Sequence, residues 1–152
     1  MIRFAEGPRD DRGTALIEVT WLSILLLVPL VYIVLAVFEV QRAAFAVTAA
    51  SRAAGRAFSI APSQDVGREQ AHRAAAVALA DQGLDLDGHG SLRITCRPDP
   101  DRCLTPGSVI EVYVGYPVAL PLMPTALGAD TPSIDVDAEH EVPYGRFREA
   151  RP

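Results

Sequence analysis

Lysine is missing from this chain: all 14 basic residues are arginine, set against 19 acids, for a net charge of −5. The deficit is sharper downstream, where residues 59–152 hold eight Arg and 14 acids, a net of −6. Nucleic-acid binding needs a basic surface to face phosphate, so this balance argues against a nucleic-acid partner. Cysteine is almost as scarce. Cys96 and Cys103 are the only two, and a CxxxxxxC spacing with no second pair is a poor zinc signature. His72, His89 and His140 have no ligand-spaced partners, so no metal is expected. Asp-x-Asp-Gly in "LDLDGHG" matches a fragment of a calcium loop without its remaining ligands or closing Glu. No GxSxG, no Gly-rich phosphate cradle and no defensible Ser/His/Asp set is present. The expectation is a protein that is not an enzyme and takes no cofactor.

Charge is also absent from Val19 to Phe38, 20 residues bounded by Glu18 and Glu39. At about 1.5 Å per residue such a run covers roughly 30 Å as a helix, the thickness of a bilayer's hydrocarbon core. A soluble helix of that length would carry a polar stripe; here only Thr20, Ser23 and the phenol of Tyr32 interrupt it. The run predicts a transmembrane span over 19–38. Arginines balance across it, three before and three soon after, so the positive-inside rule does not orient it. The cysteine pair leans one way. An isolated pair in a small domain suggests a disulfide formed in an oxidising compartment, with two free thiols as the alternative. This favours a cytoplasmic N-terminus and an extracytoplasmic C-terminal domain.

Proline is missing between Pro29 and Pro62, so the helix is expected to continue past the span, from Thr14 to Phe58. Pro29 should loosen it mid-span, which transmembrane helices tolerate. Ala43, Ala46, Ala50, Ala53, Ala54 and Ala57 recur at steps of mostly three and four. They form either a smooth strip that another backbone can approach closely or ordinary helix-favouring stalk alanine. Pro62 stops the helix, Ser63 or Asp65 can cap the next, and residues 65–82 form a second, amphipathic helix. From Ser91 the period changes to two. "SLRITCR", "VIEVYVGYPVAL" and "SIDVDAEHEV" each alternate apolar with polar residues, as half-buried strands do. Three such strands need a lid, either the second helix or the outer half of the long one. The expected fold is α+β: a long N-terminal helix, a second short helix and a small three-stranded antiparallel sheet. Its organisation is a leader over 1–13, the long helix over 14–58 and an extracytoplasmic domain over 59–152. Cys96, at the end of the first strand, can reach Cys103 in the following loop.

A short charged leader, Gly13, Glu18 five residues later and an immediate apolar helix resemble the type IV prepilin class of signals. The run "RGTALIEVTWLSILLLVPLVYIVLAVFEVQRAA" resembles the N-terminus of the TadE-like minor pilins, or pseudopilins, of tight-adherence (Flp) pilus systems. The matching residues are Arg12, Gly13, Glu18, Pro29, Glu39 and Arg42. The likeness covers residues 12–58 strongly and the remainder, including Tyr116–Val118, only loosely. It departs at Val19, where many members carry an aromatic. The resemblance implies processing by a membrane prepilin peptidase between Gly13 and Thr14, leaving Glu18 one helical turn from the new amine. It also implies partners among other pilin or pilus-assembly subunits, met through the N-terminal helix. Two other architectures compete with it. One is a permanently anchored single-pass protein with a partner-binding outer domain. The other is a secreted protein cut near "FAVTAAS", for which the apolar run is long.

Overall fold

The computed structural model describes residues 12–120 and 133–152, with side chains from Leu16 onward. The leader expected over 1–13 therefore lies outside the described residues except at its last two, and so does the side chain of Thr14. The expected elements are there in the expected order: α1 (Arg12–Ile60), α2 (Gln64–Ala80), β1 (Ser91–Arg97), β2 (Val109–Ala119) and β3 (Ser133–Pro143). Between α2 and β1 a single helical turn over Leu86–His89 replaces the loop expected at "LDLDGHG". It forms because the Asp85 carboxylate accepts from the Asp87 N–H at 3.2 Å, an Asx cap that satisfies a donor of the turn.

α1 is 49 residues long, about 74 Å at the α-helical rise, and runs through Pro29. Its two halves have opposite surroundings. Leu16 to Val31 stands clear of the rest of the chain, with its large apolar side chains exposed, whereas Ala43, Ala46, Val47, Ala50, Ala54 and Phe58 are buried. α2 folds back beside α1 after the break at Ala61–Ser63. Ser63 caps it, its hydroxyl accepting from the Val66 N–H, and Gly67, Ala71, Ala75 and Leu79 form its buried face.

The sheet is antiparallel in the order β1-β2-β3, with Ile94, Val112 and His140 in one cross-strand row. Of the two candidate lids, the outer half of α1 lies over β2 and β3. α2 packs mainly on α1 and touches only the edge of β1. The reason is close approach. A Cβ on Gly55 would stand 2.7 Å from a Val142 methyl and 3.5 Å from Val112, so the helix backbone nearly rests on the sheet. β2, the central strand, buries Ile110, Val112, Val114 and Val118 beneath it.

The sheet's other face is open and charged. Arg97 pairs there with both Glu111 and Glu141, at 2.7 Å from the latter, tying the three strands at one end. The C-terminal tail finishes the same end of the domain. The Arg151 side chain donates to the carbonyls of Ile60 and Ala61 at 3.0 and 2.8 Å, and Arg148 donates to Ser59 at 2.8 Å. Two cations thus occupy the carbonyl end of α1, where a helix leaves acceptors unsatisfied and its dipole favours positive charge.

Candidate functional site

The most unusual surface of this molecule is the free half of α1. Its large side chains are exposed, from Leu16 (71%) through Trp21 and Leu26 to Phe38 (64%), and only its last two turns, at Tyr32, Ile33, Ala36 and Val37, come up against the sheet, at Leu120 and Ile134. This is the chain's one described helix long and apolar enough to cross a membrane. Its two aliphatic hydroxyls are folded back on the helix. Thr20 donates to the Leu16 carbonyl at 2.8 Å and Ser23 to the Val19 carbonyl at 2.7 Å, so neither presents an unmade donor to hydrocarbon. At the end that joins the domain Glu39 and Arg42 pair at 2.6 Å.

At the N-terminal end Glu18 is exposed and makes no ion pair among the described residues. The Gly13–Thr14 peptide lies in the first turn of α1. The first four N–H groups of a helix have no intrahelical partner, so unwinding this turn to expose the peptide bond forfeits fewer hydrogen bonds than unwinding any later one. The three residues singled out for processing are therefore on one end of one helix, with Glu18 a turn beyond the peptide bond.

The alanine strip lies elsewhere. Ala43, Ala46 and Ala50 are 0–1% exposed, built into the core of this chain's own domain, and Ala53 is half-buried beside them. Phe45 (76% exposed), Arg52 and Arg56 occupy the opposite, outward face of the same stretch.

Cys96 and Cys103 form a disulfide, with Cα atoms 5.3 Å apart and both residues buried. It closes the loop between β1 and β2. The loop is also held from outside: Gln64, in the first turn of α2, accepts from the Cys103 N–H at 3.2 Å and donates to the Asp101 carbonyl at 2.9 Å. Nothing in the sequence pattern singles out Gln64 for this, because its partners are 37 and 39 residues away.

The histidines are dispersed. His72 meets Asp87 at 3.1 Å, the His89 ring lies 6.5 Å from that of Tyr116, and His140 sits under Gly55. No group of three or more His, Cys, Asp or Glu able to hold a metal ion occurs among the described residues. Tyr116–Val118 lines a recess with Glu39, Arg42 and His89, at the level where the free half of α1 joins the domain. No family model, curated protein or solved structure matches the chain.

Proposed function

We propose that the chain is a pilin-like structural or assembly subunit, a minor pilin or pseudopilin of a tight-adherence type IV pilus or a related secretion system. The observation that carries this reading is the position of Gly13 and Glu18 at the mouth of a helix with two different halves. One half is bare and apolar, and the other is built into a folded domain. A subunit that is held in a membrane and later handed to an assembly needs both.

In this reading the apolar half of α1 crosses the membrane with the leader in the cytoplasm. The disulfide supports an outer domain in an oxidising compartment. A prepilin peptidase cuts between Gly13 and Thr14. Glycine at the cut leaves the backbone open to the protease, and the first helical turn unwinds cheaply. The amine created on Thr14 is cationic, and Glu18 is one turn away. A carboxylate at the edge of hydrocarbon is costly until it is neutralised. Glu18 of one subunit meeting the Thr14 amine of the next satisfies both charges and fixes the axial register of neighbouring helices. The alanine strip contributes nothing between subunits, since it is closed within each one. Contacts between copies use the bare apolar half and the outward face bearing Phe45.

Val19, where the related signals carry an aromatic, favours a second reading: a permanently anchored protein with a partner-binding outer domain. Co-expression with a prepilin peptidase separates the two. Gly13→Ala should abolish shortening of the chain, and Glu18→Ala should leave it membrane-inserted but unable to co-purify with a tagged wild-type copy. Indifference to both substitutions sinks the pilin reading in favour of the anchor.

A further inference from the structure

The end of the sheet where β2 stops and β3 begins faces the free half of α1. Leu120 and Ile134 stand there against Tyr32, Ile33, Ala36 and Val37, around an almost wholly apolar groove of about 350 Å³. These four helix residues belong to the charge-free run Val19–Phe38, and Val40 and Gln41, just past Glu39, complete the lining. Only 13 residues of the run, Val19–Val31, precede the groove, about 20 Å of helix against roughly 30 Å of hydrocarbon. A bilayer that stopped at the groove would have to thin by about 10 Å. Drawing in the residues before Val19 does not help, because Glu18 would enter the hydrocarbon with them. If the whole run is immersed, Leu120 and Ile134 go down with its last two turns.

The chain around that end is suited to the depth. From Val112 to Leu120 it has no charged residue, and Ile134 is 44% exposed. Val118, the cross-strand partner of Ile134, shares a recess with Pro117, Ala119, Glu39 and Arg42, so Ile134 stands at the border of a polar level matching lipid headgroups. Asp135, exposed on the open face next to Ile134, limits the immersion to the tips of the two strands. The far end of the sheet carries the Arg97–Glu111–Glu141 cluster. Along β2, the central strand, the one charge therefore lies at the end away from the groove.

We propose that this strand end is a second membrane contact, with Leu120 and Ile134 seated in lipid at the boundary between headgroups and acyl chains. The domain then stands on the bilayer surface at a fixed height and tilt instead of swinging on α1. The inference rests on the reading that the apolar half of α1 crosses the membrane, and Trp21, the sole tryptophan, tests that reading separately.

The full chain is reconstituted into phosphatidylcholine vesicles whose acyl chains are brominated at a shallow or a deep position. Fluorescence is compared for the wild type and, in a Trp21→Phe background, for Leu120→Trp, Ile134→Trp and Phe147→Trp. Phe147 is fully exposed beside Arg148, at the far end of the domain. Disulfide formation and far-UV dichroism verify folding, and Ile134 and Leu120 serve as independent positions should one variant misfold. The expected result is quenching of Trp21, quenching of Ile134→Trp and Leu120→Trp more by the shallow than by the deep label, and none of Phe147→Trp. Quenching of Trp21 with both strand-end variants as bright as Phe147→Trp overturns the second contact and leaves the span intact. An unquenched Trp21 overturns the span and the second contact with it.

Discussion

Gly55 looks, in "RAAGRAF", like a residue that weakens a helix by about 1 kcal/mol relative to alanine. Its use is visible only with the sheet in place. Val142, 87 positions later, puts a methyl where a Cβ would go, at 2.7 Å. Periodicity identifies the face of α1 that is buried but not what lies against it, so this position was illegible beforehand. Gly55→Val should force α1 and β3 apart and cost about 1–3 kcal/mol, the usual range for overpacking. Thermal unfolding of the detergent-solubilised chain, followed by near-UV dichroism, should show a midpoint several degrees lower. An unchanged midpoint would mean that the helix does not rest on the sheet. Glu18 is the opposite case, a residue whose interest was evident from sequence, since a lone acid bounding a charge-free run is anomalous without any fold. What the fold adds is that nothing described in its own domain lies near enough to pair with it.

The elements were largely legible because the hydrophobic period changes from 3.6 to two at Ser91 and because Pro62 and Gly83 punctuate the helices. The turn at Leu86–His89 was not, since four residues show no period and the cap is a side chain acting over two positions. Which helix covers the sheet was also undetermined. Both have alanine faces, and the choice was made by Gly55, which brings α1 closer. The tail "RFREARP" carried no pattern at all, yet its arginines end α1. Arg151→Ala removes donors from two helix-end carbonyls and should lower stability by about 1–2 kcal/mol, read as a reduced urea midpoint with an unchanged m-value. The disulfide acts on the unfolded chain instead. Its sequence separation is only seven, so replacing both cysteines by serine should cost about 2–3 kcal/mol. The β1–β2 loop would become more susceptible to protease before the rest of the domain. A double variant as stable as the wild type would show that the Gln64 contacts alone hold the loop.

For the whole molecule the account joins a bare apolar half-helix to a domain of opposite character, acidic and closed by its own alanines. The single cysteine pair and the scattered histidines belong to the domain, while the residues that carry the proposed signal sit in the first turns of α1. Its central claim is that those turns are a processing and assembly signal and not merely the edge of an anchor. The direct measurement is the N-terminal residue of the protein recovered from membranes of cells that express a prepilin peptidase. The account predicts a mature chain beginning at Thr14, and a chain still beginning at Met1 would contradict it.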